Sequence, residues 1–157
     1  MDSSDQITID LRDEAATARL AQSLARVARV RDVIALRGDL GAGKTALARA
    51  FIRALGDPDE EVPSPTFTLV QHYDTDAGPV VHFDFYRLNT AEEAYELGLE
   101  DAFAEGISLI EWPERVPGLL PRDRLDVTLA IRGKRARRAV LAGGNSWMER
   151  LRSAGHA

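Results

Sequence analysis

The sequence predicts an α/β domain with a mixed, largely parallel central sheet and antiparallel hairpins, and three observations lead there. Two compact apolar runs, "DVIALRG" at 32–38 and "GISLIEWPE" at 106–114, read as strands buried on both faces. Around them apolar residues recur at helical spacing, as at Leu20, Leu24 and Val27. Two further pairs of strand-like segments face each other across turn residues. Helices interleaved with buried and half-wet strands are the pattern of layered α/β packing.

Taken in order, "QITIDL" at 6–11 alternates and reads as a first short strand. A helix follows over 12–28 with Asp13 as its N-cap. After "DVIALRG" comes a glycine-rich stretch and then "KTALARAFIRAL", a helix with Leu47, Ala50, Phe51, Ala54 and Leu55 on one face. Gly56 stands at its expected stop, with Pro58 just beyond. Three prolines and four acids crowd residues 57–66, the chemistry of a loop. "FTLVQHYD" and "PVVHFDFYR" form a hairpin around Thr75-Asp76-Ala77-Gly78. "TAEEAYELGLEDAF" reads as one helix, with Thr90 and Glu93 as a capping box. Residues 124–144 form a second hairpin turning near Gly133 and Lys134, and "SWMERLRSA" a closing helix.

A chain of 157 residues is the size of one domain, and 1–157 is expected to be a single one. There is no cysteine, which excludes disulfides, thiolate metal sites and a cysteine nucleophile. The opening stretch "MDSSDQITIDLRDE" has no basic apolar leader, and no apolar run approaches the ~20 residues of a membrane span, so a cytoplasmic protein with no membrane partner is expected. A net charge of −5 disfavours generic nucleic-acid binding.

The chemistry concentrates in Gly38-Asp39-Leu40-Gly41-Ala42-Gly43-Lys44-Thr45, which matches the phosphate-binding pattern G-x-x-x-x-G-K-[ST] between a strand and a helix. Glycines let backbone N–H groups close on an anion, and the helix start adds its dipole. Lys44 would reach the β- and γ-phosphates, Thr45 would offer its hydroxyl to Mg²⁺, and the cradle would extend to Ala46. Only two lysines occur in the chain, against eighteen arginines. The compact ammonium fits a crowded loop where the broad guanidinium fork does not. The expected fold is thus a P-loop NTPase-like three-layer α/β fold binding a nucleoside triphosphate and Mg²⁺.

Two acids stand near strand ends, where ligands of open α/β sheets bind. Asp84 shares a strand face with His82 and Tyr86, opposite Val81, Phe83 and Phe85; Glu111 ends an apolar strand. Each is a candidate for the metal; the plain alternatives are a capping or salt-bridging acid at Asp84 and an ordinary strand-end acid at Glu111. Thr66, in "SPT", falls where GTPases carry a switch threonine, though Ser-Pro-Thr is also ordinary loop chemistry. The basic cluster Arg132, Lys134, Arg135, Arg137 and Arg138 either touches phosphates or guards a hairpin edge by charge. Histidines stand at 72, 82 and 156, and His82 alone shares a face with a candidate acid.

In order and spacing, "GDLGAGKT", "SPTFTLVQHY", "HFDFYR", "ELGLED" and "IEWPE" resemble the bacterial TsaE family. The resemblance implies a small P-loop ATPase needed to make threonylcarbamoyladenosine in tRNA. It implies the partners TsaD and TsaB, with tRNA met indirectly through their complex, and ATP hydrolysis that resets the complex between turnovers. It makes Glu111 a magnesium ligand beside Thr45, Asp84 an acid of hydrolysis and Thr66 the switch threonine. It sets Trp112 beside the nucleotide, with Thr17 a weaker candidate for the adenine. A small P-loop metabolite kinase is the alternative, but it would need an arginine-bearing lid, and the arginine cluster reads as a hairpin. The guanine-reading N-K-x-D pattern of a GTPase is absent.

Overall fold

The computed structural model describes residues 6–155; residues 1–5 of the opening stretch, and His156, lie outside them. Seven strands form one sheet in the order β1-β7-β6-β2-β5-β4-β3. They are β1 (Gln6–Leu11), β2 (Val33–Arg37), β3 (Val70–Thr75), β4 (Gly78–Asp84), β5 (Ile107–Glu111), β6 (Leu125–Ile131) and β7 (Arg137–Gly143). The four inner strands β6, β2, β5 and β4 run parallel, and antiparallel partners close both flanks. The helices are α1 (Glu14–Val27), α2 (Lys44–Leu55), α3 (Ala91–Glu96), α4 (Leu99–Glu105) and α5 (Asn145–Ser153).

Alternation along the buried strands divides the core into two layers. Ile34 and Leu36 of β2 and Ile107 and Leu109 of β5 pack with α1, α2 and α5. Val33 and Ile110, with Val81 and Phe83 of β4, pack with α3 and α4 instead. Helices thus cover both faces, as the inner parallel strands require. Asp13 caps α1 by accepting from the Ala16 N–H at 2.9 Å. Among the described residues, no helix is long and apolar enough to cross a membrane.

Four details differ from the sequence reading. Ala54 faces outward, and the buried face of α2 runs through Lys44, Leu47, Ala48, Phe51 and Ile52. Residues 67–69 are a turn, because the Leu69 N–H returns to Pro65 O and Leu69 takes a positive φ. β4 ends at Asp84, whose Oδ1 accepts the Tyr86 N–H at 2.9 Å and bends the chain out of the ladder. The single helix expected over 90–103 is two, α3 and α4, divided at Gly98 with φ of 86°, a conformation that glycine takes without steric cost. The Thr90–Glu93 capping box is present.

Candidate functional site

The loop between β2 and α2 emerges at the carboxyl ends of the parallel strands, and Asp84 and Glu111 end β4 and β5 side by side in register. Gly38, Gly41 and Gly43 all take positive φ. At Gly38 a side chain is impossible for a second reason: a Cβ there would stand 2.5 Å from the Leu129 carbonyl oxygen of β6. The loop is therefore seated directly on the sheet. On its other side Arg137 of β7 braces it, donating Nη2–H to Gly41 O at 3.0 Å and Nε–H to Ala42 O at 3.2 Å. Arg138 pairs with Asp10 on β1 instead. The basic cluster is thus a hairpin with one arginine committed to the loop backbone.

Lys44 opens α2 yet is 5% exposed. Its ammonium donates to the Gly38 carbonyl and lies 3.4 Å from the centroid of the Trp112 ring. Burial pushes its pKa down, while the carboxylates of Glu111, Glu114, Asp84 and Asp39 pull it back up. Trp112 is turned toward it by a left-handed backbone, φ 59° and ψ 48°, and its ring also meets Tyr86 at 4.8 Å. Such a conformation costs a bulky residue of order 1–3 kcal/mol, a cost that recurs at functional sites.

The Thr45 hydroxyl faces both oxygens of Glu111, at 2.9 and 3.0 Å. Glu111 Oε2 also meets His82 Nε2 at 2.7 Å, and both residues are buried. That nitrogen carries a proton, because a bare lone pair would repel the carboxylate at this distance. His82 Nδ1 has no partner. On the next strand Asp84 Oδ2 accepts from the Thr66 hydroxyl at 3.1 Å, and Ser64 Oγ lies 2.8 Å from that hydroxyl. Burial raises the Asp84 pKa, opposed by the Tyr86 N–H, and Glu111 raises it further.

The structure therefore brings Lys44, Thr45, Thr66, Asp84, Glu111 and Trp112 to one place. Of the remaining loop residues, Asp39, Leu40 and Gly41 are exposed and Ala42 is buried. Thr17 is buried and lines a groove of about 630 Å³ that runs past Gly43 and Ala46 to Lys134 and Arg135. A larger groove, about 1040 Å³, lies between α1 and α2 but reaches no glycine of the loop. No group of three or more His, Cys, Asp or Glu among the described residues could hold a metal ion. Magnesium does not need one, since it keeps several waters and takes one or two protein oxygens. The Thr45 hydroxyl and Glu111 carboxylate are two hard oxygen donors already converged, so the donor set fits that ion.

A strand–glycine loop–helix unit at the carboxyl edge of a parallel sheet core, with a strand-end acid facing the loop threonine, defines a P-loop NTPase-like protein. Residues 11–140 match the family model described as "Threonylcarbamoyl adenosine biosynthesis protein TsaE". The chain belongs to this TsaE family. It is 40% identical over 121 residues to the tRNA threonylcarbamoyladenosine biosynthesis protein TsaE of Rickettsia felis, covering 77% of this chain and 71% of that one. The protein of the same name from Bacillus subtilis is 37% identical over 118 residues, 74% of this chain and 73% of its own. A crystal structure of Bacillus subtilis YdiB superposes with a TM-score of 0.76 at 28% identity, over 95% of this chain and 93% of that one.

Proposed function

We propose that this protein binds ATP with Mg²⁺ and hydrolyses it, as a component of tRNA threonylcarbamoyladenosine biosynthesis acting with TsaD and TsaB. The observation that carries the reading is the convergence of the Thr45 hydroxyl and the Glu111 carboxylate beside the buried Lys44. Family membership supports the biosynthetic role.

In this reading the N–H groups of the Gly38–Thr45 loop and the Lys44 ammonium hold the β- and γ-phosphates, and the nucleoside lies in the groove past Thr17. Lys44 would exchange its Gly38 carbonyl partner for phosphate oxygens beside the Trp112 ring that its ammonium already meets. Thr45 and Glu111 would hold magnesium, which neutralises charge developing on the phosphoryl oxygens. His82 orients Glu111 from behind, and Arg137 keeps the loop backbone from relaxing. Asp84 and the Thr66 hydroxyl, hydrogen-bonded to each other, would together position the attacking water.

Arg137, the arginine that reaches the loop backbone, is spent on its carbonyls. A positive group supplied in trans is worth ~10³–10⁵ in rate to phosphoryl transfer, so TsaD and TsaB are expected to complete the site. The exposed apolar side chains of Leu40, in the loop, and Phe67, beside Thr66, support docking there. The net charge of −5 favours tRNA reached through those partners over direct contact.

The test is equilibrium ATP binding set beside hydrolysis, with partners present, for Asp84→Ala and Glu111→Ala. Both variants are expected to retain measurable ATP binding and lose most hydrolysis, with Glu111→Ala also showing a weaker Mg²⁺ dependence. Wild-type hydrolysis in either variant removes that residue from the site.

A further inference from the structure

The segment that carries Thr66 is fastened at a distance from the site. Two arginines one turn apart on α2, Arg49 and Arg53, reach across to the backbone of the acidic loop. Arg49 donates Nε–H to Val62 O at 2.8 Å, and Arg53 donates Nε–H to Glu60 O at 2.9 Å. The Val62 side chain is 3% exposed and packed in the layer shared with α2. The chain is thus pinned at 60–62 by two hydrogen bonds and one buried side chain.

From that pin to Thr66 the sequence is Val62-Pro63-Ser64-Pro65-Thr66. Each proline locks its own φ and confines the residue before it to extended backbone. Four consecutive residues, Val62 through Pro65, are therefore restricted, and the stretch behaves as a strut rather than a hinge. At its far end the Thr66 hydroxyl meets Asp84 Oδ2 at 3.1 Å, and the Leu69 N–H folds back to Pro65 O. A stiff strut transmits the position of one end to the other.

We infer that Arg49 and Arg53 are positioning residues: they clamp the base of a proline strut and so set where Thr66 stands over Asp84. This rests on the proposed ATPase reading of the site, and it makes α2 bifunctional. Its first turn holds phosphate and its later turns hold the segment that completes hydrolysis, so both halves of the site share one rigid body.

The side chains allow a clean test in the full-length protein. Glutamine places its Nε2 at the same distance along the side chain as the arginine Nε, so Arg49→Gln keeps a donor for Val62 O. Arg49→Met keeps the length and removes the donor. For Arg49→Met/Arg53→Met the expected results are faster amide hydrogen exchange over 64–69 and a fall of about 10- to 100-fold in single-turnover ATP hydrolysis. That is the scale of loss from a misplacement of about 1 Å. ATP affinity should stay within about 2-fold, since no group on the phosphate loop is removed. Arg49→Gln/Arg53→Gln should restore both the exchange rates and the hydrolysis. Combined with Thr66→Ala, the methionine pair should cost little more than Thr66→Ala alone. Unchanged exchange over 64–69, or hydrolysis and affinity falling together without rescue by glutamine, overturns the inference. A wild-type protein that binds no MgATP would overturn the ATPase reading instead, while the exchange rates still decide whether the clamp exists.

Discussion

Lys44 answers to two demands at once, burial and charge. At 5% exposure, with its ammonium between the Gly38 carbonyl and the Trp112 ring, it occupies an enclosed slot. Lys44→Ala is expected to lose about 1.5–3 kcal/mol of ATP affinity, the scale of a charge-assisted hydrogen bond, as read by titration calorimetry. Lys44→Arg should be defective as well, because the planar fork cannot enter the same slot. Asp84 sets a different trade. Its folded-state pKa is raised by burial and by Glu111, so the protonated form favours the fold. Stability from this residue is full below the ordinary carboxylate range and falls as pH rises through the raised value. Asp84→Asn keeps an oxygen for the Tyr86 N–H and an amide for Thr66, and does not titrate. It should melt at a higher temperature than wild type at pH 7, the gap closing as pH falls toward 3, while hydrolysis is lost. Equal melting temperatures at both pH values would show that the burial of Asp84 carries no cost.

At the scale of elements, what periodicity and end signals encode was legible. β1 and α2 have the bounds their sequences announce, Asp13 caps α1, and the two-residue turn at Asp76 and Ala77 joins the expected hairpin. Part of what failed was decided by contacts between distant segments. Residues 67–69 have strand-like composition, but the Thr66 bond to Asp84 and the Leu69 carbonyl bond to the Asp84 N–H hold them in a turn. The Gly98 break carries no signal beyond the glycine itself, which many helices tolerate at ~1 kcal/mol. The phosphate loop and strand-end acids were visible because spacing alone defines them. Arg137 was marked only as one of a basic cluster, and Arg49 and Arg53 not at all, because each acts on a carbonyl, and carbonyls have no sequence. Gly38 tests how tightly loop and sheet are joined. Gly38→Ala places a methyl against the Leu129 carbonyl in a conformation alanine resists, so the loop must shift. Left-handed backbone alone costs about 1–2 kcal/mol, so denaturant unfolding should show at least that loss, with ATP affinity falling too. An alanine variant with wild-type stability and affinity would mean that the loop moves freely off β6.

For the whole molecule, the parallel centre of the sheet places every proposed catalytic group at one edge, and the antiparallel flanks supply the supports. β7 sends Arg137 to the phosphate loop, and the β3–β4 hairpin carries His82 and Asp84 into line with Glu111. In the proposed reading this arrangement would hold nucleotide and metal, while Arg137, the arginine that reaches the loop, is engaged with its backbone carbonyls. The central claim, that this is a magnesium-dependent ATPase completed by partner proteins, is tested most directly by phosphate release from ATP. The measurement compares the full chain alone with the full chain mixed with TsaD and TsaB, for wild type and Glu111→Gln, with and without Mg²⁺. The account predicts slow release from the chain alone, an increase of at least ~10³-fold with partners, and loss of that increase in Glu111→Gln or without Mg²⁺, with GTP a poor substitute throughout. No release from ATP under any of these conditions, or an equal rate in Glu111→Gln, would contradict it.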